Sequence, residues 1–128
     1  MAKKSEKDYG HQAFILLKTV FILAPILAGL DKFFNLLTNW AIYLSPFVLK
    51  SINFHAHGFM MVVGIIEIIA GIGVLFKPQF FSKVIVVWLA LIIINLLLRG
   101  IFFDIALRDF GLLLSAIALS KLSHKYAR

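Results

Sequence analysis

Residues 58–76, GFMMVVGIIEIIAGIGVLF, form an unbroken apolar run that carries one ionisable side chain, Glu67. As a helix at about 1.5 Å per residue the run covers about 28 Å, close to the roughly 30 Å hydrocarbon core of a bilayer. Counting by threes and fours places His57, Met61, Gly64, Glu67 and Gly71 on one stripe. Small residues collect where membrane helices pack, so this stripe is expected to turn Glu67 into the protein and away from lipid.

The rest of the chain repeats this character. Of its 128 residues 62% are hydrophobic, against about 45–50% in an ordinary soluble domain. A chain this short cannot hide so much apolar surface in its own interior, which argues against a small water-soluble enzyme. Four spans of about 20 residues fit the length and six do not. The expected fold is all-α, a transmembrane four-helix bundle with spans at about 12–30, 58–76, 82–100 and 105–123. Residues 1–11 and 124–128 read as polar tails flanking the 12–123 domain. A signal peptide is the competing reading of the first run, but that run exceeds the usual 7–15 apolar residues and lacks an A-x-A site.

Residues 31–57, DKFFNLLTNWAIYLSPFVLKSINFHAH, are apolar but punctuated by Asp31, Asn35, Asn39, Pro46, Lys50 and Asn53. They read as a long interfacial loop between helices one and two, with Trp40 and Tyr43 at headgroup level. Lys77-Pro78-Gln79 reads as a tight turn that Lys83 closes. Only 39 residues then separate Val84 from Leu122, whereas two full spans need about 40. Arg99, Asp104, Arg108 and Asp109 are therefore expected at the membrane edge, with at least one Arg to acid contact joining different helices.

With the amino terminus cytoplasmic, nine bases lie on that side: Lys3, Lys4, Lys7, Lys18, Lys77, Lys83, Lys121, Lys125 and Arg128. Lys32, Lys50, Arg99 and Arg108 lie on the other. This asymmetry places both termini inside and accounts for the net charge of +7 without a nucleic-acid partner.

The candidate ligand-binding or polar cluster is Asp31, His57, Glu67, Asn95, Arg99, Asp104, Arg108 and Asp109. Asn95 and Arg99 are one turn apart, as are Asp104 and Arg108. Arg108, Gly111, Ser115 and Ala118 form a further small, polar stripe. Glu67 reads either as a proton carrier or carboxylate at a quinone or substrate pocket, or as an internal tie to Arg99, Asn95 or a backbone group. His55 and His57, two apart, do not share a helix face, so no metal site is expected. The chain has no cysteine, which removes thiol chemistry of its own. No catalytic constellation is recognisable.

Three fragments, AGLDKF at 28–33, GIIEIIAGIG at 64–73 and ALRDFGL at 106–112, resemble the DoxX-like family of small four-span membrane proteins. Members are described as membrane subunits associated with oxidoreductases, including thiosulfate:quinone oxidoreductase and an actinobacterial oxidative-stress complex. The resemblance matches the family's helix-two acid to Glu67, its acid at the end of helix one to Asp31, and its Arg-Asp pair to Arg108 and Asp109. No catalytic role comes with those matches. It implies a multi-pass protein of the bacterial inner membrane, an anchor or a quinone- or small-ligand-binding subunit of an oxidoreductase assembly. Its partners would be lipids, other membrane or soluble oxidoreductase subunits, or further copies of itself. The alternatives are a small transporter or channel-like protein with Glu67 as its titrating group, and a structural partner without ligand.

Overall fold

The computed structural model describes residues 8–53 and 55–126, and every regular element among them is helical. Helix α1 spans Tyr9–Phe34, and a 3-10 turn covers Trp40–Tyr43. The short α2 covers Pro46–Ser51, followed by α3 at Ala56–Phe76, α4 at Pro78–Arg99 and α5 at Phe103–Tyr126. Three of these helices, α1, α3 and α4, are long and apolar enough to cross a membrane. Helix α5 has 24 residues and is as long, but it carries more charge.

Local chemistry sets the boundaries. Asp8 caps α1 by accepting from the His11 N–H at 3.1 Å and also accepts from the Tyr126 hydroxyl at 2.9 Å, tying the start of α1 to the end of α5. These donors, the backbone N–H first, hold the Asp8 carboxyl below the ordinary carboxylate range. Asn35 ends α1 in the left-handed region at φ 53°, and Gly100 ends α4 at φ 86°.

The α3–α4 connection is shorter than its sequence suggests. Lys77 alone lies between the helices, because Pro78 takes the first position of α4, where no backbone N–H is needed and its φ is already helical. Residues 78–81, expected to precede the third span at about 82–100, are already helical. With 22 residues, α4 alone reaches about 33 Å.

Helix α1 packs on α3, α4 on α5, and the ring closes through α1 with α5 and α3 with α4. The buried core draws two side chains from each long helix: Phe14 and Phe21, Ala70 and Val74, Ile85 and Leu89, Ala116 and Leu119. Outside it, Leu16, Leu23 and Leu27 of α1, Ile65 and Ile69 of α3, Val87 and Leu91 of α4, and Leu107 and Leu114 of α5 are exposed. Among the buried polar side chains, Ser82 returns its hydroxyl to Gln79 O and Ser123 to Leu119 O. The stripe Arg108, Gly111, Ser115 and Ala118 does not face inward. Arg108, Gly111 and Ala118 are exposed, while Ala106, Asp109, Ala116 and Leu119 take the inner face of α5.

Glycines set how near α1 and α3 come. A Cβ added at Gly29 would lie 2.5 Å from the Gly64 carbonyl oxygen, and one at Gly64 would lie 2.5 Å from the Gly29 oxygen. Farther along, a Cβ on Gly71 would meet the Ile22 carbonyl at 2.8 Å, so the two helices run antiparallel. Since the obstacles are backbone atoms, Gly64→Ala is expected to push the helices apart and cost about 1–3 kcal/mol, measured by reversible unfolding in detergent. Gly111→Ala, whose new Cβ would meet nothing within 4 Å, is the control and is expected to be neutral or stabilising.

Candidate functional site

The glycine contact places a buried ion pair between α1 and α3. Lys32 lies one turn after Gly29 and Glu67 one turn after Gly64. The lysine stem crosses Gly64, where an added Cβ would sit 3.2 Å from Lys32 Cβ. Its ammonium meets Glu67 Oε1 at 2.5 Å, with both side chains almost fully buried. Lys32 is that oxygen's partner, with no hydrogen bond beside it among the described residues. Glu67 Oε2 accepts from the Trp88 indole N–H at 3.4 Å, a longer contact that brings in α4. The face of Trp40 covers the ammonium, its centroid 3.9 Å from Nζ.

Asp31 serves this arrangement from the side. Its carboxylate accepts from Trp40 Nε1 at 2.8 Å and from the backbone N–H groups of Leu36 and Leu37 at 2.9 and 3.0 Å. It thereby fixes the chain leaving α1 and holds the Trp40 ring over Lys32. Asp109 of α5 is buried too and lies within electrostatic range of Lys32. Glu67 and Asp109 are thus faced by two cations, Lys32 and Arg108.

The remaining candidates separate. Asn95 donates to Tyr43 O at 2.8 Å and accepts from Ser45 N at 2.9 Å, pinning the connection that follows α1 to α4 at these residues. Arg99 Nε donates to Ile42 O at 3.0 Å, and its guanidinium lies 5.6 Å from the Phe102 ring centroid. Arg108 pairs with Asp109, its neighbour on the same helix, at 3.2 Å. The expected Arg to acid contact between helices is therefore absent among the described residues, and its place is taken by the Lys32–Glu67 pair. Arg99 finds a backbone carbonyl in place of an acid. Asp104 lies exposed in the first turn of α5, and His57 is exposed near the start of α3. Glu67 makes none of the ties considered from sequence, to Asn95, Arg99 or a backbone group. No set of three or more His, Asp or Glu among the described residues is placed to hold a metal ion.

Beside this cluster lies a groove of about 370 Å³ between α3, α4 and the connection. Leu44, Phe47, Phe59, Met60, Trp88 and Leu91 are among its lining residues, and Asn95 also borders it. Trp88 joins the two features, with its ring in the groove and its N–H on Glu67. Comparison of the chain with protein-family models, curated proteins and solved structures finds no match.

Sequence reasoning missed Lys32 as a buried group. Its signal was the parallel spacing Gly29-x-x-Lys32 and Gly64-x-x-Glu67 on two runs that pack antiparallel.

Removing one member of a buried pair strands the other charge, whereas removing both does not. Lys32→Met and Glu67→Gln are each expected to lose about 3 kcal/mol or more, and the double variant less than either. Unfolding of the three variants in detergent checks this, and additive losses would show that the two side chains are not coupled.

Proposed function

We propose that the chain is an integral protein of a bacterial inner membrane, in which all four long helices span the bilayer and both ends are cytoplasmic. Residues 35–53 roof the outer end of this bundle. It serves as a membrane subunit that holds an amphipathic small ligand of the quinone class in the groove under that roof, associated with an oxidoreductase partner. The groove carries this reading, being nearly all apolar, of small-ligand size and bordered by an aromatic ring whose N–H reaches a buried acid. The outward-facing Leu, Ile and Phe side chains of the four helices support the membrane placement, since that surface is at ease in lipid and costly in water. The resemblance to DoxX-like proteins supports the role as a subunit. Use of Glu67 as the titrating group of a transporter is less well supported, because its carboxylate is committed to Lys32 and Trp88 and the adjacent space is apolar.

Two measurements test this. A short-chain quinone titrated into the purified protein is expected to quench tryptophan emission saturably. Val63→Phe, which fills the groove, is expected to weaken binding roughly tenfold, equivalent to about 1.4 kcal/mol. Linear quenching, unchanged in the variant, would remove the groove from consideration.

Because the chain has no cysteine, single cysteines report sidedness cleanly. A membrane-impermeant maleimide applied from outside is expected to label Lys50→Cys and to spare Lys121→Cys. The reverse pattern would invert the topology.

A further inference from the structure

The opposite end of the molecule holds a second cavity. It measures about 400 Å³, sits against the α3–α4 turn, and is lined by Phe76, Lys77, Gln79, Phe80 and Lys83. Both phenylalanines are exposed. Lys77 and Lys83 are exposed as well, and neither is paired with an acid among the described residues. Gln79 is anchored to α5 through Nε2, 2.7 Å from His124 Nδ1. No side chain caps the first turn of α4, so its positive end adds to the two ammonium groups.

The surroundings leave this charge uncompensated. Among the described residues, Lys77, Lys83, Lys121 and Lys125 share this end with one acid, Asp8. The Asp8 carboxylate is already engaged by His11 N–H and the Tyr126 hydroxyl. The cavity therefore combines two cations with exposed aromatic walls at the end of two helices long and apolar enough to cross a membrane. A free inorganic anion would use the lysines and leave the phenylalanines idle. A phospholipid uses both, its phosphate at the lysines and its acyl chains along Phe76 and Phe80.

We infer that this cavity is a binding site for the phosphate headgroup of an anionic phospholipid, held by Lys77 and Lys83. The inference rests on the membrane placement proposed above and is independent of the groove at the other end. Taking about 1 kcal/mol, roughly fivefold, for each lysine in contact with the headgroup, the two that line the cavity are together worth roughly twenty-fivefold, whereas lysines outside it add a weaker, screened attraction.

The full-length chain, purified in detergent, is incubated with an equimolar mixture of phosphatidylglycerol and phosphatidylcholine, and retained lipid is measured by native mass spectrometry. The wild type is expected to retain phosphatidylglycerol preferentially. Lys77→Gln with Lys83→Gln is expected to cut that preference roughly twenty-fivefold, whereas Lys121→Gln with Lys125→Gln removes equal charge at the same end and is expected to keep most of it. Equal loss in the two double variants would mean diffuse surface charge, and no preference in the wild type would mean no anionic site. Displacement of the lipid by inorganic phosphate alone would mean a free-anion site. Any of these overturns the inference. A separate flotation assay with phosphatidylcholine vesicles examines the membrane placement itself. Protein that floats but shows no lipid preference refutes the site alone, whereas protein that fails to float refutes the placement.

Discussion

The packing of α1 against α3 turns on a lysine stem laid across a glycine. With no side chain at Gly64, the two backbones come close enough for the Lys32 ammonium to meet Glu67 with both side chains almost fully buried. The cost of burying both charges is large, and it is offset only while their geometry holds. Much of the surrounding structure keeps that geometry. Trp40 closes over the ammonium, Asp31 holds Trp40, and the backbone leaving α1 folds back to satisfy Asp31. Trp88 extends the tie to α4, so one ionic contact joins α1, α3, the 3-10 turn and α4.

The long apolar runs and the inward turn of Glu67 were legible in the sequence, because both follow from periodicity and small-residue spacing within a single helix. Its partner was not. Lys32 stands beside an acid at the end of an apolar run and reads as a base at the outer surface. Its burial depends on α3 crossing α1 at Gly29, and on helix side chains leaning toward the amino terminus, which sends the lysine deeper into α1. The shared face of Asn95 and Arg99 was also legible. Their acceptors are the backbone oxygens of Tyr43 and Ile42, more than fifty residues away, and no side-chain pattern encodes where a carbonyl will point.

Pro78 illustrates a different kind of misreading. Lys-Pro-Gln resembles a turn by composition, and a proline at the first helical position leaves the same trace. The boundary therefore lies a few residues from the one that the span arithmetic assumed, and the Arg to acid contact expected between helices is not found at Arg99 or Arg108, while the inward turn expected from helical periodicity is found at Glu67.

Asn95 bears on the route into the groove. By spending its amide on Tyr43 O and Ser45 N, it fastens the connection to α4 at the border of the groove. Four residues that line the groove, Phe47, Leu91, Ile94 and Leu98, are exposed, and three of them belong to α4, a helix long and apolar enough to cross a membrane. In the membrane placement proposed above, an occupant would arrive by lateral diffusion within the bilayer plane. Its occupancy would follow its mole fraction among the lipids, and a strongly water-insoluble molecule would suffer no kinetic handicap in reaching its place.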